Sequence, residues 1–205
     1  LRSRGLGDVY KRQAIFDFFD GMMARALDAH SIIGKDLDSL ADDVSFGVAP
    51  SLIVFSLFKE MDYSGAMESL AGVFPYLAFL LSVFSALRLA KFNNDTRQTS
   101  SFVGLPVPAN ALFWASLVTG AHDWLVSSNF HPVYLLLLVC LFSWLLVSEI
   151  PMFSLKFKNL SWKDNKTSFI FLLVCIPFLI FLGICSFSAI IVWYILLSLI
   201  TRKSK

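Results

Sequence analysis

The chain has 205 residues, of which 57% are hydrophobic, 15% aromatic and only 16% charged, with a formal net charge of +2. That balance lies outside the composition of soluble globular domains and specifies an all-α, polytopic bundle of transmembrane helices. The basic residues form no stripe, so nucleic acid is not expected as a partner. Cys140, Cys175 and Cys185 all sit in apolar runs, where they read as small buried hydrophobes rather than a disulfide framework or metal cluster.

Residues 1 to 13, LRSRGLGDVYKRQ, lack the uninterrupted apolar core of a signal peptide. We read them as a non-native leader, because DVYKRQ resembles a sequencing adapter read through in one frame. The membrane domain is then 14–201, and 202–205 is a basic tail.

The next stretch, DFFDGMMARALDAHSIIGKDLDSLAD from Asp17 to Asp42, carries most of the chemistry. On a helix, Asp17, Asp20, Gly21, Ala24, Arg25 and Asp28 share one face. A second helical run after residue 35 puts Gly34, Asp38, Asp42 and Ser45 close to one stripe. Carboxylates three and four residues apart repel one another unless a cation lies between them. Four aspartates offer hard oxygen donors that suit Mg²⁺ or Mn²⁺ better than Zn²⁺, and two ions are possible. Asp38, near the start of its helix, would also suit the positive end of the helix dipole. Gly21 and Ala24 allow close approach by a helix or a nucleotide. Arg25 can pair with a phosphate or neutralise Asp28.

The spacing Asp17-x2-Asp20-Gly21-x2-Ala24-Arg25-x8-Gly34-x3-Asp38-x3-Asp42 resembles, position for position, the signature of the CDP-alcohol phosphatidyltransferases. SLADDVSFGVAPS, ALRLAKFN at 86–93 and FVGLPVPANA at 102–111 look most like the serine-accepting, integral-membrane branch of that family. The resemblance implies transfer of the phosphatidyl group of CDP-diacylglycerol to serine, with loss of CMP. It implies Asp17, Asp20, Asp38 and Asp42 as metal ligands and Asp42 as the catalytic base. It also implies Gly21, Ala24, Arg25, Ser31 and Gly34 as contacts to CDP-diacylglycerol, and a homodimer as the assembly. If residues 1–13 are a leader, the resemblance further implies that a first transmembrane helix and part of the second are missing.

Further along, apolar runs at about 38–58, 70–90, 105–127 and 133–150 approach the roughly 20 residues of a spanning helix. The block 168–201 would be about 50 Å long as one helix, too much for a hydrocarbon core near 30 Å. Gly183 and Ser186 flank a turn at its middle, giving two short helices and six to seven transmembrane elements in all. That count places twelve basic residues on the side of Arg25 and Lys35 and leaves only Lys59 opposite, with the four of the leader set aside. The asymmetry predicts that Asp38 and Asp42 face the cytoplasm, in an inner bacterial membrane.

Arg88, Lys91 and Asn93 fall at that same face, as contacts to the acceptor or a lipid phosphate, or as basic anchors that snorkel. Pro106 and Pro108 stand at the start of the next helix, where proline is tolerated. His122 and Asp123 lie near the opposite face, which favours a structural role over acid/base work. The five tryptophans suit interface belts. Two other readings use the same residues: another acceptor, such as glycerol 3-phosphate or inositol, and a cation transporter with intramembrane carboxylates. Arg25 beside the acids favours a diphosphate site over a cation path.

Overall fold

The computed structural model describes residues 32–63, 65–94, 102–153 and 165–202, and these are almost entirely helical. The first rod is built from α1 (Ile32–Asp43), a π-helical turn (Val44–Val48) and α2 (Ala49–Glu60). Backbone angles at both joints stay helical, so the rod is continuous. The π turn has a local cause in Pro50, which has no N–H for the carbonyl of Phe46. The chain adapts by taking one wider turn, in which the Ala49 N–H reaches back five residues to Val44 O. Ser51 Oγ donates to Gly47 O at 2.8 Å, meeting another carbonyl inside the distortion. The added residue turns everything beyond it by about 100° relative to the aspartate stripe of α1.

After Met61 the chain leaves the helix, then re-enters through a 3₁₀ turn (Gly65–Leu70), the short α3 (Phe74–Leu77) and α4 (Leu80–Asn94). Tyr63, in the connection, buries its hydroxyl without a hydrogen-bond partner among the described residues, and burial pushes its pKa up to about 12. Next come α5 (Val107–Val126), α6 (Pro132–Val147), α7 (Lys166–Phe181) and α8 (Ser186–Arg202). Gly183, at φ +53°, makes the turn between the last two, so the long apolar block is indeed a helical pair. Among the described residues, three helices are long and apolar enough to cross a membrane, over Asp36–Glu60, Phe74–Asn94 and Gly183–Thr201, with shorter apolar helices at Pro132–Val147 and Lys166–Phe181.

α4 packs on α6, α2 on α5, and α5 on α8, while α7 lies against α8 on the periphery. Val54, Leu57, Phe58, Leu81, Trp114 and Val139 meet in the main core. Trp114 is thus fully buried, stacking edge-on to Phe113 and Phe142 rather than joining an interface belt. Leu137, Leu141, Leu173, Ile176, Ile180 and Phe181 point outward, an apolar surface that a water-soluble chain would not carry. Cys140 also faces outward, Cys175 is buried and Cys185 half-buried, and all three are free.

Small residues set the closest helix contacts, as expected between membrane helices. Ser188 Oγ donates to Phe113 O at 3.0 Å and also meets Ser116 Oγ, joining α5 to α8. A side chain at Gly120 would run into Cys185, whose backbone nitrogen stands 2.9 Å from the position of the added Cβ. The helix bends there, at Ala121. At that same end His122 Nε2 meets Glu60 Oε2 at 2.9 Å, linking α5 to α2, in keeping with a structural role.

Before α5, β1 (Phe102–Val103) pairs antiparallel with β2 (Pro151–Met152). The Gly104 N–H donates to Ile150 O at 2.8 Å and the Leu105 N–H to Leu145 O at 3.0 Å. Gly104 has φ +78°, and a Cβ there would stand 2.8 Å from the carbonyls of both Leu146 and Ser148. Only glycine fits without strain. The loop entering α5 is thereby clamped onto the end of α6.

Candidate active site

On α1, Asp38 and Asp42 lie one turn apart, so both carboxylates leave the same face. They line a cleft of about 180 Å³ together with Ser39 of α1, Arg88 and Asn93 of α4, and Pro106 and Pro108 at the entry to α5. Beneath it Phe46, Val107, Ala111 and Leu146 form a small apolar cluster. The cleft therefore carries polar side chains from α1 and α4 on walls that are otherwise apolar.

Three contacts fix those walls. Asn93 Nδ2 donates to Ser39 Oγ at 2.8 Å, holding the end of α4 against the aspartate face of α1. Lys91 Nζ reaches Glu149 Oε1 at 3.3 Å and Val147 O at 3.5 Å, tying the same end of α4 to the last carbonyls of α6. The Gly104 clamp then sets Pro106 and Pro108, whose rings give the third wall a fixed backbone.

Arg88 is 4% exposed, yet lines the cleft, with its guanidinium 5.7 Å from the Phe92 ring centroid. A buried guanidinium lining the same cleft as two carboxylates gives it both signs of charge. It can hold a cation at Asp38 and Asp42 and an anion at Arg88.

The structure brings Asp38, Asp42, Arg88 and Asn93 together in this cleft. Lys91 stands on the same helix end but outside the lining, with its ammonium on Glu149. Gly34 lies exposed on α1, one turn before Asp38 and also outside the lining. Asp17, Asp20, Gly21, Ala24, Arg25 and Ser31 lie outside the described residues. Ser39 was not singled out from sequence, although its place beside Asp38 and Asp42 on α1 was a signal. Among the described residues, no three or more His, Cys, Asp or Glu side chains gather as a metal site. The Asp38–Asp42 pair nevertheless has the donor chemistry for a hard divalent cation: oxygen ligands only, on one helix face, at the mouth of a cleft.

A family model described as CDP-alcohol phosphatidyltransferase matches residues 9–202. The chain is 37% identical over 134 residues to the CDP-diacylglycerol–serine O-phosphatidyltransferase of Bacillus subtilis (strain 168), covering 65% of this chain and 66% of that relative. It is 31% identical over 204 residues to the protein of the same name from Helicobacter pylori (strain ATCC 700392 / 26695), covering 93% of this chain and 81% of the relative. With the protein of that name from Mycobacterium tuberculosis (strain ATCC 25618 / H37Rv) the identity is 34% over 195 residues, or 90% of this chain and 60% of the relative.

Proposed function

Since the chain belongs to the CDP-alcohol phosphatidyltransferase family, we propose that it transfers the phosphatidyl group of CDP-diacylglycerol to the hydroxyl of L-serine, giving phosphatidylserine and CMP. The observation that carries this reading is the cleft that Asp38 and Asp42 line together with a buried Arg88. Serine as the acceptor is supported by the names of the relatives.

In this reading the serine hydroxyl oxygen forms a bond to the lipid-bearing phosphorus while the bond from that phosphorus to CMP breaks. The hydroxyl proton passes to the Asp42 carboxylate, which lies at the cleft and is half-buried. Arg88 supplies a fork of donors to an anionic oxygen of the acceptor or the phosphate. Asn93 keeps α4 in register with the aspartates through Ser39. Lys91 acts here as a strut, because its ammonium is committed to α6.

The family is generally dependent on a divalent metal. Asp38 and Asp42 would hold it together with Asp17 and Asp20, and Mg²⁺ or Mn²⁺ would supply neutralising charge for the diphosphate. Gly21, Ala24, Arg25, Ser31 and Gly34 are assigned to CDP-diacylglycerol on the motif alone.

The chain is an integral membrane protein. We place the cleft at the cytoplasmic face, because Arg88 and Lys91 stand at its end of the bundle and Lys59 at the other. The test is CMP release from CDP-diacylglycerol with Mg²⁺ or Mn²⁺, comparing serine, inositol and glycerol 3-phosphate. Serine-dependent release is expected. Release with either of the others alone would overturn the acceptor.

A further inference from the structure

Just below the cleft, each of the three helices that line it carries a polar residue. On α1 Asp43 follows Asp42, on α4 Ser85 precedes Arg88 by a turn, and on α5 Asn110 follows Val107 by a turn. Ser85 and Asn110 are 0% exposed. Asp43 Oδ1, Ser85 Oγ and both amide atoms of Asn110 are buried without a hydrogen-bond partner among the described residues.

Asp43 and Ser85 meet at one glycine, and Asn110 lies on the stretch of α5 that packs beside it. A Cβ built on Gly47 would strike the Asp43 carboxylate and stand 2.9 Å from Ser85 Cβ, so α1 and α4 meet at this glycine. Val107 and Ala111, which bracket Asn110 on α5, pack with Phe46, the residue before Gly47. The π turn thus brings Asp43 against Ser85 and sets Phe46 on the stretch of α5 that carries Asn110. Native interiors rarely leave so many polar atoms unmet, and a ligand or ordered water normally answers them.

We propose that Asp43, Ser85 and Asn110 form the subsite for the charged end of the amino-acid acceptor, with Asp43 taking its ammonium group. This rests on the acceptor reading above. An ammonium carries three donors and no acceptor, which matches a carboxylate, a hydroxyl and an amide carbonyl. The amide nitrogen of Asn110 is then a donor for the acceptor's carboxylate. Inositol and glycerol 3-phosphate have no ammonium, so each would leave the Asp43 charge unmet, and the subsite rejects them on that account. Gly47 keeps the layer open, since any side chain there would occupy it.

The experiment measures CMP release by the wild-type chain and by Asp43→Asn, Ser85→Ala and Asn110→Leu, in detergent with CDP-diacylglycerol and Mn²⁺. Serine is the acceptor and 3-hydroxypropanoate, which lacks the ammonium, is the competitor. Asp43→Asn is expected to raise the KM for serine about tenfold or more, with the KM for CDP-diacylglycerol and the half-saturating Mn²⁺ unchanged. In that variant 3-hydroxypropanoate should compete at least as well as in wild type. Ser85→Ala and Asn110→Leu should raise the serine KM as well, and they decide the matter alone if Asp43→Asn does not fold. An unchanged serine KM in folded variants overturns the subsite, because a layer that merely holds ordered water would shift melting temperature and leave that KM alone. Failure of the acceptor reading looks different: a wild-type chain that releases CMP with inositol or glycerol 3-phosphate but not with serine would overturn both.

Discussion

Asp42 and Tyr63 bound the range of what single side chains do here. Asp42 is half-buried at the cleft, and as the proposed base it must take a proton within hydrogen-bond reach. Asp42→Asn keeps shape and volume but cannot accept that proton. Turnover is expected to fall by about 10²-fold or more, while a binding isotherm still detects CDP-diacylglycerol; measurable synthase activity close to wild type would remove the base from Asp42. Tyr63 shows the opposite case, a buried hydroxyl with no hydrogen-bond partner among the described residues. Its pKa is raised to about 12, so it has no effect on the pH dependence of stability while both folded and unfolded chains keep the proton. From about pH 10 the unfolded phenol ionises first, and stability is lost as pH rises through the folded value. Tyr63→Phe should remove that alkaline loss and leave neutral stability unchanged or slightly higher, as thermal melts at pH 8 and pH 11 would reveal.

At the level of elements, two local devices aim the cleft. Pro50 imposes the π turn that sets the aspartates of α1 against α4. Pro50→Ala restores a donor for Phe46 O, so the rod should gain helix stability while its two halves rotate relative to one another. A melting temperature equal to or above wild type, combined with at least a tenfold loss of CMP release, is the expected pair of results. Activity retained in full would mean that the turn does not position the site. Gly104 is the second device. Gly104→Ala must fit a Cβ between two carbonyls at positive φ, at a cost of about 1–3 kcal/mol, and it should displace the Pro106–Pro108 wall. A lowered melting temperature with a raised KM for CDP-diacylglycerol would register that displacement.

Much of this element-level order could be read from the sequence. The i, i+4 spacing of Asp38 and Asp42 places both carboxylates on one face whatever packs against them. Length arithmetic and Gly183 likewise predicted the α7–α8 hairpin. What periodicity could not supply was the pairing of distant elements. Lys91 is visible as a cation, but its partner Glu149 lies 58 residues away, and only the packing of α4 on α6 joins them. The buried layer of Asp43, Ser85 and Asn110 was hidden for the same reason, since each residue alone looks like an incidental polar group in an apolar helix. Trp114 went to the core rather than an interface because Phe113 and Phe142 enclose it.

Across the whole molecule, the bundle depends on a few tight seams. Gly120 is where the α7–α8 turn presses on α5. Gly120→Val would collide first with Cys185 Sγ and then with its backbone nitrogen, 2.9 Å from the added Cβ, so turning the thiol aside does not relieve it. It should lower the melting temperature and weaken the Ser116–Ser188 contact, while Asp38, Asp42 and Arg88, at the other end of the bundle, keep their arrangement. Size-exclusion profiles and CMP release measured together would separate loss of assembly from loss of chemistry. A large fall in activity at unchanged stability would show that the hairpin reaches the site after all.

The Gly104 clamp also sets an order of events during synthesis. Every described side chain of the cleft precedes residue 109, so all of them have left the ribosome while the last third of the chain is still being translated. Yet Gly104 and Leu105 hang on carbonyls of Ile150 and Leu145, and the third wall cannot take its place until α6 has inserted. The α7–α8 hairpin contributes no lining residue and can join afterwards. Nascent chains halted before residue 145 should therefore hold an unfinished cleft, and those released after residue 153 a finished one.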